Sequence, residues 1–91
     1  MSRTEEFELV ECETIPPNIE DGRLYYSRKY GTATHLCACG CGLMVVTPCK
    51  PGFWTMEIKD GKPTLSPSIG NFQNPCRSHY FITGGKVEWC K

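Results

Sequence analysis

Polar and apolar residues alternate along this chain in short runs with a period of two, and no stretch sustains the three-to-four spacing of a helix. Trp54, Met56 and Ile58 alternate with Thr55, Glu57 and Lys59, which predicts a half-buried strand. It is followed by a turn at Asp60-Gly61 and a return strand near Thr64-Leu65. Strands are also expected at Phe7 to Cys12, whose acidic alternates leave a helical reading open, at Arg23 to Ser27, at Thr32 to Cys37 and at Leu43 to Thr47, where Pro48 stops the run. Gly84-Gly85 suits a two-residue hairpin loop. It sets Thr83 opposite Lys86, Ile82 opposite Val87 and Tyr80 opposite Trp89, so that Tyr80, Ile82, Val87 and Trp89 share an apolar face and Phe81 and Glu88 take the other. Ser66 to Pro75, with two prolines, a glycine and two asparagines, reads as an ordered loop. Seven prolines and nine glycines leave no room for a helix of ordinary length, and the expected class is all-β, built from short antiparallel strands and hairpins.

Ninety-one residues make one domain, spanning 1–91, whose small core would gain from a staple. The formal net charge is zero but segregated. Residues 1–21 form an acidic N-terminal segment with seven carboxylates against Arg3, and the rest of the chain carries a surplus of six positive charges. An acidic arm folded over a basic body is one reading, and a basic face open to a partner is another. Nucleic-acid binding is not indicated. The polar, acidic start shows no apolar leader, and the longest aliphatic run, Leu43 to Val46, is too short for a membrane span. Seven cysteines, an odd number, favour a reducing compartment, and a cytoplasmic location is expected.

His35-Leu-Cys37-Ala-Cys39-Gly-Cys41-Gly places four metal-ligand types at every second position, and Cys76-Arg-Ser-His79 answers it downstream. In an extended strand, residues two apart lie roughly 6.6 Å from each other on one side. A tetrahedral zinc ion needs sulfurs about 3.8 Å apart, so the backbone must bend, and Gly40 and Gly42 allow it. The expected metal ligands are Cys76 and His79 with two of Cys37, Cys39 and Cys41, the remaining thiolate lying close by. His35 is more readily a strand-end histidine with a satisfied ring. Cys12, Cys49 and Cys90 lack a partner at zinc spacing and read as small apolar residues.

Two resemblances follow from these residues. Cys76-x-x-His79-x-Phe81 with Gly85-x-Val87 resembles the second ligand loop and hairpin of Rieske-type domains, although His35-x-Cys37 reverses the usual order of the other ligand pair and Tyr80 replaces a glycine. That likeness implies a Rieske-like or zinc-ribbon-like β fold and, as the alternative to Zn2+, a [2Fe-2S] cluster serving electron transfer. The second rests on His35-x-Cys37-x-Cys39-Gly-Cys41-Gly, Pro48, Trp54, Leu65-Ser-Pro-Ser-Ile-Gly70, Pro75-Cys76-x-Ser78-His79-Tyr80 and Gly85-x-Val87-x-Trp89. This string is similar to a family of small bacterial and phage proteins, some encoded beside bacterial ubiquitin-like proteins and their activating and conjugating enzymes. The likeness implies a metal-binding accessory or ligase-like adaptor with protein partners from ubiquitin-like conjugation.

The leading expectation is therefore a zinc-binding protein-interaction module. Contacts are expected from the Ser66 to Asn74 loop or from among Tyr25, Tyr26, Tyr30, Phe53, Trp54, Phe72 and Trp89. Four protein ligands close an ion and favour structure over chemistry. An enzyme would need a base near the ion or a nucleophile such as Cys49 or Cys90, and His35 is the only histidine this assignment leaves over.

Overall fold

A computed structural model describes residues 3–70 and 75–90 as two four-stranded sheets. The first contains β1 (Glu8–Glu11), β2 (Arg23–Ser27), β3 (Thr32–Leu36) and β4 (Met44–Pro48) in that spatial order. The second contains β5 (Thr55–Lys59), β6 (Lys62–Gly70), β7 (His79–Thr83) and β8 (Lys86–Trp89), also in chain order. Every pairing is antiparallel except β1 with β2, because the eleven residues 12–22, with two prolines, carry the chain back to start β2 in the same direction.

The β7–β8 hairpin has the expected register, Tyr80 with Trp89, Ile82 with Val87 and Thr83 with Lys86, around Gly84 and Gly85, both at positive φ. Its inner face adds Tyr80, Ile82 and Val87 to a core completed by Phe7, Leu24, Ala33, Val45, Leu65 and Ile69. Burial of these apolar side chains from both sheets is the main force that holds them together.

The N-terminal segment links the sheets. Phe7 N–H donates to Gly85 O at 2.6 Å and Val87 N–H donates to Glu5 O at 2.9 Å, which covers the β8 edge. The first strand therefore begins at Glu8, one residue later than expected, since Phe7 belongs to the second sheet's edge and buries its ring in the core. The acidic segment does fold over basic residues. Glu8 and Glu20 meet Arg23, Glu11 meets Arg28 at 2.8 Å and Glu13 meets Lys29 at 3.0 Å.

One expected loop is a strand. β6 runs on through Ser66, Pro67 and Ser68 to Gly70, and Ile69 and Gly70 pair with Tyr80 and His79. Proline residues are tolerated there because the ladder is interrupted: the four steps from Leu65 to Ile69 face only the two steps from Ile82 to Tyr80. The end of that expected loop, including Phe72, lies outside the described residues. Of the other aromatic candidates, Tyr25 is buried, Tyr26, Trp54 and Trp89 pack against the core, and Tyr30 and Phe53 are exposed. No helix among the described residues is long and apolar enough to cross a membrane.

Candidate functional site

The chain leaves β3 at Leu36 and turns sharply. Cys37 N–H donates to Leu43 O at 2.8 Å and Gly40 N–H donates to Cys37 O at 3.1 Å, with Gly40 at φ 91° and Gly42 at φ 84°. Side chains with a Cβ avoid that backbone region, so the two glycines permit the bend that gathers the intervening thiols. Cys76 approaches from the turn before β7. The sulfurs of Cys37, Cys39, Cys41 and Cys76 all lie within 4.8 Å of one another, with Cys37 to Cys39 at 3.4 Å and Cys37 to Cys76 at 3.8 Å.

The donor set fits one metal ion. The spacing is close to the roughly 3.8 Å separation of sulfurs around a tetrahedral zinc. Thiols this close do not ionise together without a cation. The Ser78 hydroxyl bonded to Cys76 holds that thiol down at about 6, while burial pushes Cys41 up to about 12. A divalent ion would hold all four as thiolates.

His79 stands outside this group. It was expected to share the ion with Cys76; the group of four sulfurs forms without it, and its Nε2 lies 2.7 Å from Ser68 Oγ. The geometry follows from the sheet. Tyr80 and Ile69 point into the core, so His79 on β7 and Ser68 on β6 both take the opposite face, and the break in pairing before Ile69 swings Ser68 toward the histidine. Both residues are half-buried.

His35 also lies outside the group of four cysteines. Its ring is fully buried, packed edge-on against Phe7, with Nε2 2.8 Å from Tyr80 Oη. Burial pushes its pKa down to about 4, so the ring is neutral at ordinary pH. Tyr80 Oη also accepts from Ala38 N–H at 3.3 Å. The residue next to His79 is thereby tied to the turn between Cys37 and Cys39, and cysteine cluster and histidine form one connected unit.

A serine hydroxyl held against an imidazole nitrogen can serve acyl transfer. When Nδ1 carries the ring proton, Ser68 O–H donates to Nε2, the arrangement in which histidine can remove that proton as the oxygen attacks a carbonyl. A cleft of about 350 Å3 adjoins the histidine, lined by Arg3, Cys39, Cys76, Arg77, Ser78, His79, Trp89 and Cys90. Ser68 was not singled out from the sequence. The available signal was a count: Cys37, Cys39, Cys41 and Cys76 suffice for one tetrahedral ion, which releases His79 and leaves the chain with a histidine near a Ser-Pro-Ser stretch.

Comparison with known proteins gives one family match. The model of the family described as "Bacterial ubiquitination-like system serine protease (BubE)" matches residues 11–90, nearly the whole chain. No match is found among curated proteins or among solved structures.

Proposed function

The chain belongs to the BubE family of bacterial ubiquitination-like systems, and from that premise we propose that it is a serine-type hydrolase that cleaves an acyl bond at the C-terminus of a ubiquitin-like protein. The observation that carries this reading is the 2.7 Å contact between Ser68 Oγ and His79 Nε2. Ser68 Oγ adds to the carbonyl carbon while His79 Nε2 takes its proton. The tetrahedral adduct then collapses, the imidazolium gives the proton to the departing amine or alkoxide, and an ester to Ser68 remains. Water, deprotonated by the same nitrogen, releases the carboxylate and restores the hydroxyl.

Cys37, Cys39, Cys41 and Cys76 would hold a Zn2+ ion whose contribution is structural, since four thiolates leave no position for water. Two residues, Arg77 and Ser78, separate Cys76 from His79, so the cysteine cluster anchors the loop that enters β7 and sets where the imidazole sits. A [2Fe-2S] cluster distributes its ligands over two irons, whereas these four sulfurs all lie within 4.8 Å of one another, and this favours zinc over the electron-transfer alternative.

The test is cleavage of a ubiquitin-like protein with a C-terminal extension. The wild type is expected to release the extension. Ser68→Ala and His79→Gln are expected to lose at least about a thousandfold in rate while keeping metal and fold. A purely adaptor or ligase-like role in the same system would leave Ser68→Ala fully competent in complex assembly, and cleavage by that variant would refute the assignment.

A further inference from the structure

Three of the four clustered cysteines are followed by a residue at positive φ. Gly40 follows Cys39 at φ 91° and Gly42 follows Cys41 at φ 84°, but it is Arg77 that follows Cys76, at φ 49°. Asp60, in the Asp60-Gly61 turn, is the other non-glycine residue at positive φ among the described residues, and aspartate is one of the few types that tolerate this region. Arginine is not. The conformation at position 77 is needed because it turns the Ser78 hydroxyl and N–H back to Cys76, and glycine would adopt it without strain, as at positions 40 and 42. The chain instead carries a guanidinium there, at an energetic cost to the backbone.

No contact within the fold offsets that cost. The Arg77 side chain is exposed and makes no ion pair or hydrogen bond among the described residues, in contrast to Arg23 and Arg28, which are matched by carboxylates. It does line the cleft beside His79. Arg3 lines the same cleft, its guanidinium 4.4 Å from the centre of the Trp89 ring, and none of the lining side chains is a carboxylate. Two guanidinium groups without an acid therefore face the space next to the imidazole. Their planar forks of N–H donors match a carboxylate, the common anion of a polypeptide, in geometry as well as charge.

We infer that Arg77 binds a carboxylate of the substrate in this cleft, with Arg3 beside it. Of the Ser68–His79 pair, His79 lines the cleft and Ser68 does not. The imidazole is the group that hands its proton to the departing fragment, so the fragment that leaves is the one that extends over His79 into the cleft. The carboxylate belongs to that fragment, as its free C-terminus close to the scissile bond or as an acidic side chain there. This deepens the hydrolase reading and rests on it for which part of the substrate occupies the cleft.

Arg77→Gly is the informative variant, because it removes the guanidinium and relieves the backbone at once. Metal-loaded Ser68→Ala protein, with and without Arg77→Gly, is titrated by calorimetry with three forms of a ubiquitin-like protein. One carries a dialanine extension ending in a free carboxylate, one the same extension ending in an amide, and one an aspartyl-alanine extension ending in an amide. Ser68→Ala alone is expected to bind the first or the third at least about tenfold more tightly than the second, which identifies the C-terminus or the side chain as the source, and Arg77→Gly is expected to abolish the preference. With Ser68 intact, Arg77→Gly is expected to raise KM for the preferred form about tenfold while fluorophosphonate labelling of Ser68 stays within about twofold of wild type. Its melting temperature is expected to be no lower than that of the wild type. Equal binding of the three forms, or a preference that survives Arg77→Gly, would overturn the proposal. A lower melting temperature or faster release of zinc to a chelator in Arg77→Gly would make the guanidinium a support of the thiolates and overturn it as well. A carboxylate preference that depends on Arg77 in a protein whose Ser68 is neither labelled nor able to cleave would overturn the hydrolase reading alone.

Discussion

Cys37 Sγ and Cys76 Sγ lie 3.8 Å apart although 39 positions separate them in the chain. The contact joins the end of the first sheet's β3 to the entrance of the second sheet's β7, so whatever holds these sulfurs together also holds the sheets in register. Elemental analysis of reduced protein is expected to find one zinc per chain. Binding of a structural zinc contributes on the order of 10 kcal/mol, comparable with the whole stability of a small domain. Cys76→Ser and strong chelation are therefore expected to abolish cooperative melting, and an unchanged thermal transition after metal removal would contradict the clamp.

The Tyr80 hydroxyl lies in a fully buried position between His35 Nε2 and Ala38 N–H. Tyr80→Phe keeps the ring but leaves both partners without it, and such buried orphans cost about 1–3 kcal/mol each at most. Urea denaturation of the metal-loaded protein is expected to show a loss of about 1–3 kcal/mol with an unchanged m-value. No change in midpoint would mean that the hydroxyl is not needed to tie the cysteine turn to β7.

Gly84 and Gly85 form the same turn and are expected to respond differently to substitution. A Cβ at Gly84, φ 56°, meets nothing within 4 Å, so Gly84→Ala carries only the left-handed backbone penalty of about 1–2 kcal/mol. A Cβ at Gly85 would lie 2.9 Å from Phe7 O, in the segment that covers the β8 edge. Gly85→Ala is expected to be the more destabilising of the two and to speed amide exchange at Phe7 and Val87. Equal melting temperatures for the two variants would show that this segment contributes little.

The paired charges that join the acidic segment to Arg23 on β2 and to Arg28 and Lys29 just after it are exposed, with Arg28 to Glu11 the shortest at 2.8 Å. Exposed ion pairs contribute about 0–1 kcal/mol, and Arg28→Ala is expected to change stability by no more than that, less still at high salt. A larger loss would indicate that the Arg28–Glu11 pair anchors β1 to the first sheet and is not a screened surface contact.

What the sequence made legible was local. Alternation and turn signals placed seven of the strands within one or two residues, since period-two burial is written directly into Thr55–Lys59 and the Gly84-Gly85 hairpin. The cysteine knuckle was visible because three thiols beside two glycines have few other uses. Where the reading failed, position in three dimensions decided. Ser66 to Gly70 looked like a loop because its prolines oppose a regular ladder, and only the pairing of Ile69 with Tyr80 across an irregular register makes it a strand. His79 was expected to join the ion on its spacing from Cys76 and its place at the mouth of the last hairpin, and the structure groups the four cysteines without it. A two-residue gap allows two ligands to meet but does not require it, and the contact with Ser68 depends on how β6 lies against β7.

The hydroxyl of Ser68 against Nε2 of His79 is the feature from which the functional account follows. Its most direct test is mass-spectrometric mapping of a fluorophosphonate adduct on the folded, metal-loaded protein. The account predicts a single adduct on Ser68 that disappears in His79→Gln. An unreactive wild type, or an adduct that forms equally in His79→Gln, would contradict it.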